Sequence, residues 1–261
     1  PSDRIRAVVV NSGNANACTG QRGLRDAQAM TQLAATACGA GPDQALVMST
    51  GIIGVFLPMD KITAGIRAAA SRLGSDEASF LLAARGITTT DKSHKIASRV
   101  LELGGRTIRL AGMCKGAGMI GPRMATMLAV VLTDAALTVA DAQASLVAAV
   151  EDSFNCISVE GHMSTNDTLL LLASGAACAQ PLAGADLARF QETLREVCIE
   201  LAKQIPDDGE GATHLVTIDV QGTATRDDAF RIAKTVAESA LVKTAIAGGD
   251  PNWGRIVSAA G

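Results

Sequence analysis

The sequence predicts an α+β fold, and three observations predict it. Strand-like and helix-like runs are clustered instead of alternating one for one, which favours packed α+β layers over a doubly wound parallel sheet. The chain has 261 residues, enough to bury a large core as one domain or two interlocked lobes. Hydrophobic residues make up 48% and charged residues 19%, the balance of a well-packed globular protein, yet aromatics are only 2% and Tyr is absent. The core must therefore rest on Leu, Val, Ile, Ala and Met.

Taken in order, "IRAVVVN" reads as a buried strand entering the loop "NSGNANACTG". Residues 22–38 carry apolar side chains at helical spacing and stop at Gly39. "QALVMST" is a second short strand, broken by Gly51, and helical patterns follow at 58–73 and 76–84, with Ser75 as the expected N-cap of the latter. "IASRVLELGGRTIRLAGM" reads as a hairpin turning at Gly104 and Gly105. A strand runs on after residue 126, Thr138 and Asp141 form a capping box ahead of an amphipathic helix, and 168–173 is a further apolar stretch. A helix over 185–204 is expected to stop before Pro206, "ATHLVTIDVQG" alternates like a strand, and 226–242 reads as one helix before the turn-rich "GGDPNWGR".

Composition excludes several functions. Too few aromatics are present to stack single-stranded bases, and a net charge of -3 offers no basic footprint for duplex nucleic acid. The six cysteines have no zinc-type spacing and read as reduced thiols of a cytosolic protein. The three histidines are isolated, so no metal is expected. "TLLLLASGAACA" is too short to span a bilayer, and the N-terminus lacks a signal-peptide pattern, so neither membrane attachment nor export is expected. No Gly-rich loop ends as a P-loop does or sits in a dinucleotide-binding context.

Thr126 in "GMIGPRMATMLAVVLTD" stands at the mouth of an apolar strand, behind Gly121, Pro122 and Ala125. A β-branched residue in a strand is the ordinary reading. The chemical one is a cut: attack by the Thr126 hydroxyl on the Ala125 carbonyl gives an ester that water hydrolyses. The freed α-amine, with a reference pKa of about 7.7 to 8.0, then serves as the base that a hydroxyl nucleophile needs.

"KGAGMIGPRMATMLAVVLTDA" closely resembles the processing site of the ornithine acetyltransferase family, also called bifunctional glutamate N-acetyltransferase. "VVVNSGNANACTG", "STGIIGVFLPM", "TTTD", "SFNCISVEG", "STNDT", "GEGATHLVTIDV" and "DPNWGRI" resemble the same family in the same order, so the resemblance spans nearly the whole chain. It implies a layered α/β/β/α-type, self-processing fold of the N-terminal-nucleophile kind. It further implies a cut between Ala125 and Thr126 into an α segment (1–125) and a β segment (126–261), packed as one catalytic unit.

The same resemblance makes Thr126 the acyl-accepting nucleophile and matches Thr50 and Gly51 to an oxyanion-stabilising hydroxyl and backbone N–H. Lys115 matches a substrate-binding lysine suited to an α-carboxylate. Thr89 matches a substrate-binding threonine, with three consecutive threonines leaving its register open by one. Glu210 matches an acid suited to the ornithine amine. Without the resemblance, Thr50–Gly51 reads as a strand ending in a turn, and Lys115 and Glu210 as solvated charges. Asn11, Asn14, Asp250, Asn252 and Trp253 read as residues that hold turns.

The implied activity is ping-pong transfer of acetyl from N-acetylornithine to glutamate in the cytoplasm. No cofactor or metal is needed, the sequence leaves open whether acetyl-CoA serves as an alternative donor, and the assembly is a heterotetramer of two α and two β pieces. The sequence departs from the family at Cys156, where a basic residue is expected, at His162 and Met163, and in "DKSHK", which lacks the usual proline. The family's chains extend further at both ends, so a C-terminal part is expected to be absent. Two rivals stand beside this reading: a related self-processing hydrolase or aminopeptidase that passes the acyl group to water, and an inactive fragment.

Overall fold

The computed structural model describes residues 2–121 and 127–261. Two β-sheets stack face to face between two helical layers. The first is a parallel pair, β1 (Ala7–Asn14) and β2 (Ala45–Ile52), joined through helix α1 (Gly20–Ala37). The second has four strands in the order β3 (Lys95–Leu103), β4 (Arg106–Lys115), β5 (Leu128–Thr133), β6 (Thr168–Ala173). β3 and β4, and β4 and β5, pair antiparallel, while β6 lies parallel to β5.

The two-residue period of a strand shows how the layers arise. Ala45 of β2 packs with Met30, Ala34 and Ala35 of α1 and Ile66 of α2 (Met59–Ala70), joined from β1 by Ala7 and Val9. The alternate residues Val8, Val10 and Met48 face the other sheet and meet Met113, Leu128, Val130, Leu170 and Leu172. The opposite face of that sheet, with Leu110, Cys114, Ala129 and Val131, takes Phe190, Leu194, Val197, Leu201 and Ile205 of α5 (Gly184–Asp207). Strands buried on both faces need continuous apolar runs, and "LAVVLT" of β5 supplies one. The predicted α/β/β/α layering is thus the observed one. α5 approaches β4 closely at Gly112, where a Cβ would lie 2.6 Å from Leu201 Cδ1.

The hairpin at Gly104–Gly105 and the N-cap of α4 (Val139–Glu151) form as predicted; the Thr138 hydroxyl accepts from the Asp141 N–H at 3.0 Å. Several boundaries differ. β2 continues through Gly51, whose φ of +128° only glycine holds easily. α3 (Glu77–Gly86) is capped by Asp76, not Ser75, because the carboxylate reaches the Ser79 N–H at 2.9 Å. α5 runs through Pro206 to Asp207; a proline in the last turn removes one intrahelical bond, too few to stop the helix earlier. The single helix expected over 226–242 is two, α6 (Arg226–Glu238) and α7 (Ala240–Ala247), divided where Ser239 adopts an extended ψ of 115° and caps the second.

"ATHLVTIDVQG" forms no strand. Its alternation is real, but among the described residues no neighbouring strand satisfies its backbone, and Leu215 and Val216 remain exposed. Trp253 opens helix α8 (Trp253–Ala260) with its indole exposed, and so does not hold the fold as expected. All six cysteines are free, with Cys114, Cys178 and Cys198 buried. Among the described residues no helix is long and apolar enough to cross a membrane.

Phe190 is fully buried where α5 meets the four-stranded sheet. Phe190→Ala is expected to lose about 3–5 kcal/mol in urea denaturation, with secondary structure otherwise retained.

Candidate active site

Lys115 ends β4 and pairs in register with Leu128, the first residue of β5, so it lies across the sheet from the chain that follows Thr126. Its side chain is buried and crosses to the other sheet, where Nζ donates to the Thr50 hydroxyl at 3.3 Å. Thr50 is itself buried on β2, paired with Ser12. Beside it Gly51 lies so close to β1 that a Cβ would stand 2.3 Å from the Gly13 carbonyl carbon, so no side chain fits there. The two sheets meet chemically at Lys115 and Thr50.

A buried charge cluster holds Lys115. The Asp91 side chain is inaccessible to solvent. Its Oδ1 accepts from Lys95 Nζ and from the Gly116 N–H, each at 2.7 Å, and its Oδ2 accepts from the Thr89 N–H at 3.1 Å. That Oδ2 also lies 4.0 Å from Lys115 Nζ. Lys95 reaches Asp208 Oδ2 at 2.6 Å, and Asp208, at the end of α5, accepts from the Lys92 and Ser93 N–H groups. The two ammonium groups and two carboxylates balance in charge, as buried ions must. Burial pushes the Asp91 carboxyl up. The hydrogen bonds from Lys95, Gly116 and Thr89 outweigh burial and hold it below its ordinary 3.8. Lys115 moves down from 10.5, first through burial and then through repulsion by Lys95, against attraction by Asp91, Asp167 and Glu210.

Glu210 follows α5 on an exposed turn. Its N–H donates to the Ala117 carbonyl at 2.7 Å, and its carboxylate lies over Gly118, where a Cβ would be 2.8 Å from the carboxyl carbon. Further along, the Ile120 N–H donates to Glu160 Oε1 at 2.8 Å, and the Ile120 carbonyl accepts from Val159 and Gly161. The segment from Gly116 to Gly121 is thereby fixed on its carbonyl and amide sides alike.

The structure sets Thr50 against Lys115 with Gly51 beside it, lays Glu210 over Gly118, and ties the exposed Thr89 to Gly116 through Asp91. Ala125 and Thr126 lie outside the described residues. Sequence reasoning missed Asp91, Lys95, Asp208 and Asn166. Asp91 and Asn166 stand inside "TTTD" and "STNDT", where a buried acid and an amide look like turn residues. Asn166 donates to the carbonyls of Ala15 and Ser49, and Ser49 donates to Asn11 at 2.6 Å. Asn11 in turn donates to the Asn14 carbonyl, in keeping with the turn role read for it. A cavity of about 630 Å³ between α5, α6, α7 and the 212–220 segment is bordered by Glu210.

Fold and site together define an α/β/β/α protein whose two sheets converge on a charged cluster at the end of β4. The ArgJ family profile matches residues 1–261, and the chain belongs to the ArgJ family. It is 50% identical over its whole length to the arginine biosynthesis bifunctional protein ArgJ of Rhodopirellula baltica and 49% identical, over 98% of its length, to that of Symbiobacterium thermophilum. In each case it spans 64% of the relative. Among solved structures, the bifunctional protein argJ of Bacillus halodurans is similar with a TM-score of 0.42 and 39% identity, over 46% of this chain and 61% of that one.

Removing the Asp91 carboxylate leaves Lys95 short of one partner in a buried setting. Asp91→Ala should cost about 3–5 kcal/mol in denaturant unfolding. Because the Asp91 pKa is depressed in the fold, its contribution is complete above 3.8 and fades as pH falls through the lower folded value. Asp91→Asn should flatten that part of the stability–pH curve.

Proposed function

We propose that this chain carries the acyl-transfer site of an arginine-biosynthesis enzyme that moves acetyl from N-acetylornithine to glutamate, with Thr126 as nucleophile. The observation that carries the reading is the Lys115–Thr50 hydrogen bond, set between the two sheets at the strand end leading to Thr126. The names of the relatives and family membership support the pathway.

Thr50 accepts from the Lys115 ammonium, so its own proton remains free to donate, and the cation polarises it. Together with the Gly51 N–H it would meet the charge that develops on a carbonyl oxygen under attack. In processing, the Thr126 hydroxyl adds to the Ala125 carbonyl, the amide nitrogen leaves as the new α-amine, and water hydrolyses the ester. In turnover the α-amine takes the hydroxyl proton, acetylornithine acylates Thr126, and ornithine departs with that proton. Glutamate then removes the acetyl group. Lys115 offers charge to an α-carboxylate, Glu210 to the ornithine amine, and Thr89, whose N–H is held by Asp91, offers a further substrate contact.

The cut divides an α segment, 1–125, from a β segment, 126–261. The anchors on Gly116–Gly121 support their staying together, and two copies of each piece form the working assembly. The enzyme needs no cofactor or metal, accepts acetyl-CoA as a second donor, and works in the cytosol, as six free thiols suit a reducing compartment.

Incubation with N-acetylornithine and glutamate should yield acetylglutamate; free acetate regardless of glutamate would instead establish a hydrolase. Thr126→Ala should be inert, and a wild-type rate in that variant would refute the mechanism. Thr50→Val should lower kcat by about 10²–10³, the loss typical of one oxyanion donor.

A further inference from the structure

Lys115 is buried where the two sheets meet, and a lysine ammonium carries three N–H donors. Among the described residues one acceptor lies within hydrogen-bond distance of its Nζ, the Thr50 hydroxyl at 3.3 Å. Asp91 comes near but stops short. Its Oδ2 stands 4.0 Å from Nζ, close enough for charge to act and too far to accept a hydrogen bond.

That spacing is built into the cluster. Asp91 Oδ1 accepts from Lys95 Nζ and from the Gly116 N–H, each at 2.7 Å, and Oδ2 accepts from the Thr89 N–H at 3.1 Å. The carboxylate is held on both oxygens, from β3, from the residue after β4 and from the loop before β3. It cannot swing onto Lys115 without breaking one of these bonds.

We propose that Asp91 is a positioning residue that acts on the substrate through Lys115. It keeps the ammonium charged while leaving N–H groups free for the substrate's carboxylate, and Lys95 is its counterweight. The inference rests on the reading of Lys115 given under Proposed function. A direct ion pair would use up donors that the substrate needs, and a neutral lysine would lose the charge that attracts a carboxylate. An anion fixed at 4.0 Å avoids both.

The groups that face Lys115 come from several elements. Lys95 of β3 repels it, while Asp91, Asp167 before β6 and Glu210 after α5 attract it. Thr50 of β2 is neutral. Cys114, its neighbour on β4, is fully buried, and burial pushes the thiol up, so it stays neutral too. Burial is the strongest influence on Lys115 and moves it down from 10.5, with Asp91 the first attraction opposing it.

If Asp91 served the fold alone, loosening the cluster at either partner would change Lys115 in the same direction. A counter-ion and its counterweight have opposite effects. The test is a carbon-13 NMR titration of lysine-labelled protein, with Lys115→Arg assigning the signal. Asp91→Asn is expected to lower the Lys115 midpoint by about one unit, as loss of an adjacent opposite charge dictates. Lys95→Gln removes a like charge, leaves Asp91 uncompensated, and is expected to raise it. The basic limb of the kcat/KM profile for N-acetylornithine should follow in each variant, a one-unit shift being about a tenfold loss on the alkaline side. Midpoints that coincide with wild type, or that move the same way in both variants, overturn the inference and leave the Thr126 mechanism standing. Opposed midpoints in a protein that transfers no acetyl group overturn the reading of the enzyme, and with it the role given to Asp91. If Asp91→Asn fails to fold, Lys95→Gln decides: an unmoved or lowered midpoint overturns the inference.

Discussion

Asp91 makes four charged or backbone contacts from one inaccessible carboxylate, and the architecture of the site follows from them. It accepts from Lys95 and Gly116 on one oxygen and from Thr89 on the other, with Lys115 nearby. The end of β4, the loop before β3 and, through Lys95 and Asp208, the end of α5 are thereby locked to a single point. A low-dielectric interior punishes any partial version of such a cluster, so it is fully formed or not stable at all. That requirement sets Lys115 against Thr50 and so joins the two sheets.

The same logic extends along the chain toward the proposed cut. Gly116, Ala117 and Ile120 are each tied by hydrogen bonds to different parts of the fold, and Met127 is tied on both of its backbone groups. Gly121 packs against Gly161 so closely that a Cβ would lie 2.7 Å from the Gly161 carbonyl carbon. The backbone is thus held firmly at Gly121 and at Met127. β5, which follows Met127, lies between β4 and β6 in the sheet.

The layering was legible because strand periodicity states which side chains face which layer: alternate residues of β1, β5 and β6 sort cleanly into different core clusters. Thr50, Lys115 and Glu210 were named through family resemblance, and the structure sets Lys115 on Thr50 and Glu210 over Gly118. Asp91 and Asp208 were not, because an acid in a Thr- or Asp-rich stretch looks solvated until its distant lysine is known. Asp208 lies 113 positions from Lys95, the cation it meets. The failed strand at 212–222 has a related cause. Alternation reports a residue pattern, whereas a strand also requires a neighbour to satisfy its backbone.

The proposed chemistry exchanges one peptide bond for a new N-terminus while both pieces stay in the fold. Intact mass measurement on denatured and on native wild-type protein tests it most directly. Two polypeptides under denaturing conditions, one beginning at Thr126, that travel together in native buffer are the predicted result. A single unbroken polypeptide in fully active material would contradict it.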